Sequence, residues 1–80
     1  MEEATIRARV RRLLETGEIP CDTPDATWAG KGVGERCVAC VQPIAANDVE
    51  FEMEVSGVSY RVHRRCHDIW QEECEPVRRS

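Results

Sequence analysis

No stretch of this chain comes near the roughly 18 consecutive apolar residues that a membrane-spanning helix requires, so no membrane segment is expected. The opening MEEATIRARVRRLL lacks the uninterrupted apolar core of a secretory leader, since acids and then arginines break it up. An even cysteine count is also missing. Five cysteines do not make the paired framework of a small secreted domain, and a reducing, cytoplasmic setting is the expectation. There is no excess of positive charge: 11 Lys and Arg against 15 Asp and Glu leave a net charge of −4. That argues against nonspecific phosphate binding, although a local basic face can exist on an acidic protein. Finally, Gly30-Lys31-Gly32-Val33-Gly34 is no phosphate loop. The pattern GxxxxGK[ST] is absent, and no strand before it or helix after it is expected. Flexible glycines leading into a tight turn explain the same residues.

What is present begins with size. A chain of 80 residues is read as one domain, and at this length only about 60% of the unfolded surface is buried on folding. Such a core is marginal, and a metal ion or a disulfide is the usual supplement. Ile6, Val10, Leu13 and Leu14 recur at helical spacing between Glu3 and Thr16, and Gly17 follows as a stop. Residues 1–17 are therefore an N-terminal helix, with Arg7, Arg9, Arg11 and Arg12 read as a solvated face and, as the alternative, a contact for nucleic acid or an acidic partner. Residues 18–36, EIPCDTPDATWAGKGVGER, read as a long irregular connection. Ile19, Trp28 and Val33 are the residues that could tie it down, Trp28 being the large anchor expected to pack inward, with partner binding as the alternative.

Val49, Phe51, Met53 and Val55 alternate with Glu50, Glu52 and Glu54, which marks a half-buried strand. Ser56-Gly57 is a turn, and Val58, Tyr60 and Val62 continue the alternation. A two-residue loop pairs Val55 with Val58, Met53 with Tyr60 and Phe51 with Val62, and sets Glu52 opposite Arg61 on the other face. After His63 the period changes. Cys66, Ile69, Trp70 and Cys74 fall at helical spacing, with Pro76 soon after, so a short helix closes residues 37–75.

The chemistry lies in Cys37-Val38-Ala39-Cys40 and His63-Arg64-Arg65-Cys66, two donor pairs separated by 22 residues. A tetrahedral zinc ion takes four N or S donors, and a CxxC turn supplies two of them from one compact knuckle. The hairpin returns His63 toward that knuckle, and Cys66 falls in the first helical turn, where free amides favour a thiolate. Cys37, Cys40, His63 and Cys66 are thus expected to hold one structural Zn²⁺. Cys74 stands about 12 Å further along the helix and reads as a core residue. His67 points away from Cys66 and would have to replace it. Cys21 reads as a free thiol or an intermolecular disulfide. Redox and catalytic-thiol readings lack, respectively, a βαβ context and an orienting group. Four protein donors leave no open position for a catalytic water, so no enzyme is expected.

CxxC, a hairpin of about twenty residues, and HxxC at the head of a helix resemble the treble-clef zinc fingers, most closely the first zinc site of a LIM domain. The likeness covers residues 37 to about 73 and ends after one site, because His67-Asp68-Ile69-Trp70 runs on where a LIM domain would supply further ligands. The stretch from Ile19 to Cys40, with its Trp-Ala-Gly segment before the knuckle, is also similar to small bacterial zinc-binding proteins of unknown function. The resemblance implies an α+β fold of N-terminal helix, long loop, CxxC knuckle, β-hairpin and C-terminal helix. Fold-level likeness selects no activity. The expectation is a zinc-stabilised module that contacts a protein partner through the first helix, Trp28 or the hairpin. Nucleic-acid binding through Arg61, Arg64 and Arg65 with Arg78 and Arg79 is the alternative.

Overall fold

In the computed structural model, which describes residues 1–79, the chain runs α1 (Glu3–Thr16), β1 (Ala26–Lys31), β2 (Val49–Val55), β3 (Val58–His63) and α2 (Arg64–Arg79). The α+β class expected from the sequence holds. Helix α1 buries Ile6, Val10 and Leu13 and ends at Gly17, whose φ of 80° and backbone N–H bonds to Leu13 and Leu14 close the last turn.

The hairpin has the expected register. Val55 faces Val58, Met53 faces Tyr60 and Phe51 faces Val62. On the opposite face Arg61 and Glu52 form an ion pair at 3.7 Å. Ser56 and Gly57 both have positive φ, 50° and 82°, which matches the right-handed twist of the flanking strands. The apolar face packs on α2, with Tyr60 edge-on to Trp70 at 5.6 Å and Phe51 against His67 at 4.6 Å.

Three features differ from the sequence expectation. First, residues 18–36 are not wholly irregular: β1 lies within them and pairs antiparallel with β2, with Trp28 opposite Glu52. The sheet order is β1-β2-β3. Trp28 does not pack inward; it is 53% exposed. Val33 is exposed as well, so of the three expected anchors Ile19 alone is buried, and the segment is also held by Trp70, whose Nε1–H donates to the Pro20 carbonyl at 2.9 Å. Second, Glu50 leaves the solvated row of glutamates. It is buried, lies across from Gly30 and His63, and its Oε1 has no hydrogen-bond partner among the described residues. Third, α2 continues through Pro76 to Arg79. The proline removes one helical hydrogen bond, while Arg78 holds the final turn by donating to the Cys21 carbonyl at 3.0 Å and to Gln71 at 2.7 Å.

The arginines of α1 are not a plain solvated face either. Arg7 binds Glu72 and Glu73 of α2 at 2.8 Å each, and Arg11 binds Glu73 at 2.6 Å. These charge pairs clamp the two helices together. The adjacent guanidiniums hold the Glu73 carboxyl below its ordinary value, Arg11 having the larger effect.

Cys21 and Cys74 form a disulfide within the chain, spanning 53 positions. Cys21 is therefore neither a free thiol nor an intermolecular link. Cys74 is buried as expected, but it is a bridge residue and not only a core filler. No helix among the described residues is long and apolar enough to cross a membrane.

Candidate metal centre

The Cys37–Cys40 knuckle sits at the tip of a short ribbon. Arg36 and Pro43 form a β-bridge, the Cys37 amide donates to the Gln42 carbonyl at 2.9 Å, and the Ile44 amide donates to the Glu35 carbonyl at 2.8 Å. Val41 closes the knuckle, with its amide donating to the Cys37 carbonyl at 2.9 Å. It does so in the left-handed region at φ 68°, which a β-branched side chain rarely occupies. The Cys40 amide points at Cys37 Sγ at 3.5 Å, an orientation suited to a thiolate.

Glycine matters directly behind the knuckle. A Cβ on Gly32 would collide with the carbonyl groups of Ile44 and Ala45, so the chain leaving β1 crosses the chain leaving the knuckle at backbone contact. The knuckle is also pinned laterally. The Val38 amide donates to the Arg61 carbonyl of β3 at 2.9 Å, and Arg9 of α1 donates through Nε to the Ala39 carbonyl at 2.8 Å. The first helix therefore packs onto this half of the fold.

His63 ends β3 and Cys66 lies in the first turn of α2, so three elements deliver the four side chains. The donor atoms of Cys37, Cys40, His63 and Cys66 all lie within 4.8 Å of one another, and the three cysteines are buried and unbridged. Cys40 Sγ is 3.4 Å from His63 Nδ1. A tetrahedral shell with Zn–S bonds near 2.3 Å and a Zn–N bond near 2.0 Å spaces its donors by roughly 3.5–3.8 Å. The cluster can hold one metal ion with little movement. Asp48 approaches the other ring nitrogen, with Oδ2 3.8 Å from His63 Nε2, the position from which a carboxylate orients a metal-binding imidazole.

The electrostatics of the bare sulfurs point the same way. Hydrogen bonding from Cys66 lowers the Cys37 thiol to about 4. Burial raises Cys40, while Cys66 is pushed up chiefly by its bond to Cys37. Three buried sulfurs without a cation thus favour one thiolate and oppose the second and third. A divalent cation removes that opposition by stabilising all three thiolates.

The three donors set aside in the sequence, His67, Cys74 and Cys21, stay outside the cluster. His67 rests on Phe51 and lies 3.3 Å from Asp68 Oδ1, and Cys74 is bonded to Cys21. Three supporting residues were not visible in the sequence, namely Asp48, Arg9 and the left-handed Val41. None belongs to a spaced motif. The disulfide left one trace: removing the three donors from an odd set of five leaves two cysteines. Comparison of the chain with known protein families, curated proteins and solved structures gives no significant match.

Proposed function

We propose that this chain is a small non-catalytic module built around one structural zinc ion, similar in layout to a treble-clef finger, that works by presenting a binding surface to a protein partner. The observation that carries the reading is the buried Cys37, Cys40, His63, Cys66 cluster, four donors within 4.8 Å drawn from the knuckle, β3 and α2. Three thiolates and an imidazole favour zinc over calcium or magnesium, which prefer oxygen donors. A full protein shell has no position for substrate, so the ion's role is to fold the chain. Exposed Trp28 on β1 supports a protein-binding surface, because aromatic residues are enriched at such sites.

The test is metal content and native mass on one purified sample, followed by chelation. One zinc per chain is expected, with loss of helical circular dichroism and of dispersed amide signals when it is removed. A metal-free chain with an unchanged spectrum would refute the structural role. Nucleic-acid binding keeps one specific support, the exposed Arg64 and Arg65 at the head of α2, although Arg65 also donates to the Met1 carbonyl at 3.3 Å. Against it, Arg7, Arg11, Arg61, Arg78 and Arg79 already have partners within the fold. Titration with DNA and RNA at low salt separates the readings, since phosphate binding must weaken steeply with added salt.

A further inference from the structure

The four donors are not equally shielded. Cys37, Cys40 and Cys66 are 1%, 4% and 1% exposed, whereas the His63 side chain is 20% exposed. His63 shares with Cys40 and Cys66 a cavity of about 210 Å³, walled by Met1 and Ile6 and bordered by Arg65. Cys37 does not line it. The cluster is thus closed on the Cys37 side and approachable from the His63 side. Resting on the metal assignment above, we propose that this cavity admits a small anionic thiol, whose sulfur takes the place of the His63 imidazole on the ion and so carries the metal into and out of the shell.

Size, softness and charge select that ligand. The space equals roughly seven liquid waters and is smaller than the about 300–1,000 Å³ of pockets that take drug-sized molecules, so it suits a molecule of a few carbons. An ion already held by three sulfurs accepts a fourth as readily as it accepts nitrogen. Three thiolates around a divalent cation leave a net negative shell, which repels anions. Arg65 offsets that repulsion. Its partner is the neutral Met1 carbonyl at 3.3 Å, and no carboxylate pairs with it among the described residues. A guanidinium bonds more strongly to a carboxylate than to a carbonyl, while Met1 and Ile6 give a short carbon stem an apolar wall.

Because the protein shell is full, an incoming donor has to displace one of the four, and His63 is the one whose departure the fold accommodates. Cys37 and Cys40 are fixed by the hydrogen bonds of the knuckle, and Cys66 is buried in the first turn of α2. His63 Nδ1 faces Cys40 Sγ at 3.4 Å, so this nitrogen is the donor, and Asp48 Oδ2 lies 3.8 Å from Nε2 on the other side. As the sulfur bonds to the ion, the bond to Nδ1 breaks and the thiol's proton passes to the freed Nδ1. Asp48 then faces the resulting imidazolium. No electron is transferred, and the reverse sequence loads the metal.

The experiment loads the full chain with cobalt(II), whose visible spectrum distinguishes three sulfurs and one nitrogen from four sulfurs. The loaded chain is titrated with mercaptopropionate, which is anionic, and with mercaptoethanol, which is neutral, to about 10 mM. Mercaptopropionate should shift the visible bands to the red, saturably, and should speed transfer of zinc from the zinc-loaded chain to a chromophoric chelator. Mercaptoethanol should need about fivefold more for the same shift. Arg65→Ala should remove that difference and leave the thiol-free spectrum unchanged. Mass analysis confirms that the Cys21–Cys74 bridge survives the titration. Bands unmoved by either thiol, cobalt stripped without a four-sulfur species, or equal potency of the two thiols in the parent would each overturn the proposal. So would tighter binding of an acidic cysteine-containing peptide, which would give the cavity to a protein side chain. A chain that takes up no cobalt or zinc removes the metal assignment as well, whereas the other failures leave it standing.

Discussion

Val41 shows how much the knuckle constrains a single residue. It takes φ 68° because the turn must bring the Cys37 carbonyl to its amide and expose its own carbonyl to Arg36 Nη1 at 2.9 Å. The side chain is exposed and has little burial to lose. Relief of left-handed strain should therefore outweigh the added freedom of glycine in the unfolded chain. Val41→Gly is expected to raise stability by about 0.5–1 kcal/mol, read by denaturant titration of the metal-loaded protein. Asp48→Asn should lower metal affinity about tenfold without changing the circular dichroism of the loaded form, measured by competition with a chromophoric chelator. The four donors were legible because ligand spacing is a local property of the sequence. Asp48 and the αL backbone were not, because they depend on where a folded turn places neighbours that no spacing rule relates.

Among the elements, the hairpin was the most legible, since its two faces separately required one register. β1 was hidden for the converse reason. Nearly all of it is exposed on both faces, so Thr27-Trp28-Ala29-Gly30-Lys31 carries no alternation, and alternation is the signal by which a strand is recognised. The far end of α2 was also missed, because a proline normally marks a helix end and here Arg78 supplies contacts that hold the turn beyond it. The clamp between the helices makes a pH prediction. Arg11 and Arg7 hold the folded-state Glu73 carboxyl below its unfolded value near 4.3. Its contribution is complete above that unfolded value and disappears as pH falls through the lower folded one. Glu73→Gln should thus be less stable than the parent at pH 7, and the gap should narrow as the pH drops below about 4. A constant gap in denaturant midpoint across that range would contradict the clamp.

For the molecule as a whole, two crosslinks of different chemistry supplement a small core. The disulfide joins the segment before β1 to the end of α2, and a metal ion held by the four-residue cluster would join the knuckle to the β3–α2 junction. Closing a loop of 53 residues contributes about 4 kcal/mol in the chain-entropy account. Cys21→Ser should lower the stability of the oxidised protein by about that amount while leaving one metal per chain, checked by denaturant titration and metal analysis. Chelation should do the reverse, releasing the metal and leaving the bridge intact by thiol counting. The pairing of Cys21 with Cys74 was not deducible from spacing, since connectivity is set by the folded path.

The two crosslinks are also nested. Residues 37–66, which a metal ion in the cluster would close, lie entirely within residues 21–74, which the bridge closes. Whichever link forms first shortens the span the other must gather, so the two cannot contribute independently. An oxidised unfolded chain already holds its four donors in a smaller volume, and a metal-loaded chain already holds its two remaining thiols closer together. The oxidation state of a distant cysteine pair is thereby coupled to metal uptake without any contact between the two sites, through the dimensions of the unfolded chain alone.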